Sequence, residues 1–217
     1  MKKIEKKRKK ITFLELIRNH VENNLKQYFI ISILFIIGVA IGVTLANHVQ
    51  FQAQEQVENS IIEAINKLKE GYEINYSSLL KNVILNHILF TLILWFLGCS
   101  VIGIPIVYLA IGYKGISLGY TISSIILTLG TGKGILFAFI ALLLQNLFII
   151  PAILAIAVSS MNLYSSIIKN KRIENIKIEI IRHTIFCFGM SVILIVASFI
   201  EVYATSFLLK ICATNLL

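Results

Sequence analysis

Aspartate is absent from this sequence: all eleven of its acidic residues are glutamate. That removes aspartate triads, calcium loops of the EF-hand type and Walker-B magnesium sites at once. Charge of any kind is scarce at 14%, and there are only two prolines and one tryptophan. Three cysteines, Cys99, Cys187 and Cys212, sit in or beside apolar runs without paired spacing. They define neither a disulfide framework nor a zinc site, and no metal or cofactor is expected. What fills the 217 residues is apolar: 57% of them, with a mean hydropathy of +0.84, against roughly 45–50% in soluble domains. The first inference is an all-α, polytopic integral membrane helix bundle.

A membrane helix needs about 18 or more consecutive apolar residues with few charges. Residues 28–46 meet that test without a charge and form the first span. Residues 83–111 form a second, long and interrupted by Gly98, Gly103 and Pro105, so a kink is expected near Pro105. Residues 112–130 give a third, residues 135–164 a fourth that Pro151 should bend, and residues 184–209 a fifth. About five spans result, with the second and fourth broken or kinked. The first apolar run exceeds the roughly 7–15 residues of a signal-peptide core and is expected to stay as an anchor.

Basic residues set the orientation. Residues 1–27 hold nine Lys/Arg against three Glu, and the 165–183 segment holds Lys169, Lys171, Arg172, Lys177 and Arg182 against Glu174 and Glu179. Both belong on the cytoplasmic side, with Lys114 between spans two and three. Residues 47–82, the 131–134 loop and the 210–217 terminus fall outside. The N-terminus is therefore expected in the cytoplasm and the C-terminus outside. The net charge of +9 is explained by this rule and by attraction to anionic membrane lipids, without nucleic acid.

The outer 47–82 segment carries Val57, Ile61, Ile65, Leu68 and Tyr72 at helical spacing, with Glu58, Glu63 and Glu70 among the polar positions. It reads as an amphipathic helix of about five turns. Its stripe is expected either to rest on the membrane or its own bundle, or to dock an extracytoplasmic partner.

Inside the spans, Gly115 and Gly119 form a small-xxx-small pair, as do Gly38 and Gly42, suited to close helix packing in a homo-oligomer or within the bundle. Gln145 and Asn146 place two amides in an apolar core, as a helix clamp or part of a solute path. Glu201 is the lone acid within a span. The Gly130–Gly134 run lacks phosphate-loop spacing. His20, His48, His87 and His183 fall near span ends and read as boundary residues. No nucleophile stands marked beside a base, so no catalytic residue is expected and the chain reads as a non-enzyme.

Gly98, Gly103, Pro105, Lys114–Gly115, Gly119, Gly132, Lys133–Gly134, Gln145–Asn146 and Pro151 together resemble the stage II sporulation protein M family of endospore-forming Firmicutes. Leu144 stands where that family more often has proline. The resemblance implies a non-enzymatic membrane scaffold. It would recruit two peptidoglycan hydrolases, stage II sporulation proteins D and P, to the sporulation septum, where septal wall remodelling drives forespore engulfment. The alternative from the residues alone is a permease-like subunit of an ATP-driven transporter, since broken helices and midplane amides also occur there.

Overall fold

A computed structural model describes residues 13–48, 51–70, 75–100, 103–169 and 173–215. Eight α-helices follow in order: α1 (Phe13–Asn23), α2 (Leu25–His48), α3 (Phe51–Lys69), α4 (Tyr76–Gly98), α5 (Gly103–Leu129), α6 (Thr131–Lys169), α7 (Ile173–Phe199) and α8 (Ser206–Asn215). A π-helical segment, Ile200–Thr205, joins α7 to α8. No strand occurs among the described residues. This is the all-α membrane bundle that the composition implies.

Four stretches are long and apolar enough to cross a membrane: Leu25–His48, Tyr76–Gly98, Gln145–Ile168 and Ile176–Cys212. The 27-residue α5 completes the bundle. It lies parallel to α2, with Gly115 beside Phe35 and Gly119 beside Val39. α2 and α5 share the most extensive contact in the molecule.

The second expected span divides elsewhere than at Pro105. α4 ends at Gly98, and the chain turns with Ser100 N–H donating to the Leu97 carbonyl at 3.0 Å. α5 then begins at Gly103, so residues 103–111 belong to it and Lys114 lies well inside a helix rather than in a loop. Pro105 sits in the first turn of α5, where a missing N–H costs nothing because that group has no partner within the helix. Uniform apolarity across 83–111 hides the turn, because composition does not distinguish a helix from a turn that stays within the bundle.

In the fourth span Pro151 lies inside α6, which continues for 39 residues, with the proline on its exposed side. Gly130, at φ +79°, is the whole connection between α5 and α6. Residues 131–134, expected as an outer loop, open α6 instead, with Gly134 N–H donating to Gly130 at 2.8 Å. Most of the expected 165–183 loop is helical as well. Ile176, Ile180, His183 and Cys187 recur at helical spacing on the inward side and extend the buried stripe of α7.

Two apolar clusters result. The larger centres on Ile31, Leu94, Val107, Ile111, Ile156 and Leu194, all fully or almost fully buried. The smaller gathers Ile65, Ile125, Phe137, Ala138, Ala141 and Cys212 from α3, α5, α6 and α8 at the opposite end from α1. Within lipid the first is held by close packing rather than by exclusion of water.

Candidate functional site

The amphipathic helix α3 is settled against its own bundle. Ile65 of α3 is buried, and Ile61 and Leu68 pack beside it on the second cluster. α3 touches α8 and α5. Val57 is half-buried at a shallow dent of about 20 Å³ shared with Tyr120 and Thr128, too small for a ligand. The apolar residues expected to dock a partner are therefore turned inward, which is where a stripe with α8 and α5 in reach loses most contact with water. Glu58 is exposed at the rim of the same dent, Glu63 and Ile62 are exposed on α3, and Glu70 is exposed just past its end. Glu63 receives Lys67 at 2.6 Å, and that hydrogen bond holds its carboxyl below the usual range. Tyr72 lies outside the described residues.

The glycines make the bundle possible. A Cβ on Gly42 would stand 2.7 Å from the Tyr120 amide nitrogen, and one on Gly119 would stand 2.9 Å from the Val39 carbonyl carbon. The two small-xxx-small pairs, read separately from the sequence, thus face each other in one chain. Gly98 abuts α6 and α7, where a Cβ would come within 2.8 Å of Ser160 Cβ and 2.9 Å of His183 Nε2. Gly103 meets the Leu97 backbone at the turn. Gln145 and Asn146 are half-buried, and Asn146 Nδ2 donates to the Leu142 carbonyl of its own helix at 2.8 Å.

Two polar groupings lie between the helices, and both involve histidines that the sequence reading placed at span boundaries. In the first, His183 of α7 is buried, with Nδ1 2.8 Å from Ser159 Oγ of α6 and the Cys187 sulfur at 3.6 Å from Nε2. Trp95 Nε1 donates to Thr184 Oγ1 at 3.0 Å nearby. This ties α4, α6 and α7 together.

In the second grouping Glu201, within the π-helical segment, lies 3.1 Å from His87 Nε2 of α4, with side chains 24% and 11% exposed. Lys114 of α5 projects toward α4, its Nζ 5.8 Å from the centre of the Phe90 ring, which lies three residues along from His87. Glu201 was legible as the lone acid in a span; its partners were not. Among the described residues no set of three metal-ligating side chains converges.

The family model for stage II sporulation protein M matches residues 31–206. The chain belongs to the stage II sporulation protein M family. No curated protein and no solved structure matches it. Its family and its apolar helices make it a sporulation-related membrane protein.

In this stage II sporulation protein M family member, the end opposite α3 carries an open cleft of about 880 Å³ between α1, α6 and α7. Asn19, His20, Asn162, Ser166 and Arg182 line it. The His20 ring lies on Phe186 with centroids 4.3 Å apart, and burial holds its pKa below the usual 6.5. α1 itself went unread in the sequence, although Phe13, Ile17 and Val21 repeat at helical spacing.

Proposed function

We propose that the protein is a non-enzymatic membrane scaffold. It recruits and anchors peptidoglycan hydrolases, stage II sporulation proteins D and P, at the sporulation septum for septal wall remodelling and forespore engulfment. Family membership is the main support. The structural observation that carries the reading is α3: its apolar stripe is fixed to α8 and α5, while Glu58, Glu63 and Glu70 remain exposed.

A helix held in this way fixes the positions of its exposed charges, the glutamates and the Glu63–Lys67 pair among them. Binding two enzymes to one membrane patch raises the concentration of each near the other without a catalytic group in the scaffold. The basic excess near α1 and the start of α7 supports placing that end in the cytoplasm and α3 with α8 toward the wall. Lipids contact the many apolar side chains on the bundle's exterior, and a homo-oligomer would multiply the docking surfaces.

The test is the triple charge reversal Glu58→Lys, Glu63→Lys, Glu70→Lys in sporulating cells. Loss of hydrolase capture by the tagged protein, with membrane levels unchanged, is the expected result. Undiminished capture and septal recruitment would count against the reading.

The polar grouping at Glu201 favours one other reading, a permease-like subunit of an ATP-driven transporter. Recovery of an ATP-binding-cassette ATPase and no hydrolase in the same pull-down would establish that instead.

A further inference from the structure

We propose that His87, Glu201 and Lys114 form a proton-binding site inside the bundle, in which one carboxylate is shared by two bases. The argument starts from position. His87 lies at the centre of α4, eleven residues from either end of Tyr76–Gly98. Lys114 lies in α5 beside the middle of α2, since neighbouring Gly115 packs on Phe35 and Gly38. Its Nζ stands 5.8 Å from the centre of the Phe90 ring, three residues along α4 from His87, so all three groups belong to the apolar part of the molecule, where a net charge is costly and ionisable side chains pair with one another.

Charge counting then limits the states. With one proton shared among the three, the site is neutral in each arrangement. Ammonium on Lys114 can balance the Glu201 carboxylate while His87 is neutral. Imidazolium on His87, 3.1 Å from the carboxylate, can balance it while Lys114 is a neutral amine. A second proton leaves the site at plus one, and none leaves it at minus one. Moving between the first two states breaks one N–H bond at Lys114 Nζ and forms one at the His87 ring. Glu201 stays ionised throughout and total charge is unchanged.

Two independent features mark the place. Two buried hydroxyls in these spans satisfy themselves on a carbonyl one turn back, Ser160 on Ile156 at 3.0 Å and Ser198 on Leu194 at 2.9 Å, and Ser159 pairs with His183. Thr91 and Thr205 do neither. Both are buried, at 3% and 4% exposure, and neither hydroxyl has a hydrogen-bond partner. Thr91 is one turn along α4 from His87, and Thr205 is four residues beyond Glu201. Glu201 also sits in the only π-helical segment among the described residues, an irregularity concentrated at functional positions in other helices. Tyr203 braces that segment by stacking on Tyr76 at 5.3 Å and on Phe199 at 6.3 Å.

The surrounding elements add little competing charge. Tyr76 and Lys81 of α4 and Tyr203 of the π segment lie toward the α3 end, and Lys210 is on α8. α6 has no titratable side chain between Lys133 and Tyr164. Lys114 is the one charged side chain of α5, and it stands over the Phe90 ring of α4. The site does not depend on hydrolase recruitment and would bind its proton whatever the chain anchors.

The experiment uses the full chain in lipid nanodiscs at pH 7, with infrared spectra reading the carboxyl groups and nitrogen NMR reading the histidine rings. Glu201→Gln identifies the Glu201 bands and His87→Gln the His87 signals. In Lys114→Met, His87 should carry N–H on both ring nitrogens while Glu201 remains a carboxylate. In Lys114→Met/His87→Gln no base remains, so one protonated carboxyl per chain should appear. Lys114→Arg/His87→Gln restores a cation, and that band should vanish. A His87 ring in Lys114→Met with a single N–H, or a protonated Glu201 in either single variant, would overturn the proposal. So would a carboxylate that persists in the double variant. The two single variants decide the matter even where the double variant does not fold.

Discussion

Ser159 Oγ lies 2.8 Å from His183 Nδ1 across the α6–α7 interface, and both side chains are buried. Removing one partner strands the other in apolar surroundings, at a cost of about 1–3 kcal/mol. Ser159→Ala should therefore lower stability by that amount in a denaturant titration of the purified protein. Ser166→Ala, at the edge of the open cleft, should leave it within about 0.5 kcal/mol of the parent.

The α2–α5 seam separates two glycines that look alike in sequence. A Cβ on Gly119 meets the Val39 backbone, whereas one on Gly112 meets nothing within 4 Å. Gly112→Ala should be neutral or stabilise by up to about 1 kcal/mol, since alanine suits a helix better than glycine. Gly119→Ala should destabilise by about 1–3 kcal/mol, as overpacking does elsewhere. Comparing the two unfolding midpoints checks both.

Leu94 is fully buried, whereas Leu109 is 71% exposed on the bundle's exterior. Leu94→Ala opens a cavity and should cost about 2–5 kcal/mol. Leu109→Ala faces lipid and should cost far less. Equal losses would show that packing in the interior is not what holds α4 in place.

Docking of α1 should depend on pH. Burial holds the pKa of His20 below 6.5, so the undocked helix binds more protons than the docked one. Docking is then strongest above pH 6.5 and weakens as pH falls through that value. Amide exchange in α1, corrected for intrinsic rates, should rise between pH 7.5 and 5.5. His20→Phe should keep the ring contact with Phe186 and lose the pH dependence.

Composition alone made the helical membrane bundle legible, and spacing alone found α3 and its inward residues. Both signals are local: apolarity over one helix length, and repetition every three or four residues. What stayed hidden was relational. His87 and Glu201 are 114 residues apart, and no local pattern joins them, so each read as an isolated boundary or intramembrane residue. Gly38–Gly42 and Gly115–Gly119 were visible as packing faces, but nothing nearby in sequence says that they face each other. The turn at Cys99–Ser100 was masked because it is as apolar as the helices around it, and Pro105 drew attention to the start of a helix rather than to its break.

The uninterrupted path from α7 through the π segment to α8 has a mechanical consequence. Residues 173–215 span about 60 Å at 1.5 Å per residue. One end carries Arg182 and His183 at the open cleft, and the other carries Leu209 and Cys212 beneath Ile65 of α3. The two ends belong to one continuous helical rod, and the six-residue stretch that holds Glu201 is its one departure from α-helical pitch. A displacement at the cleft would reach the α3–α8 end through that stretch.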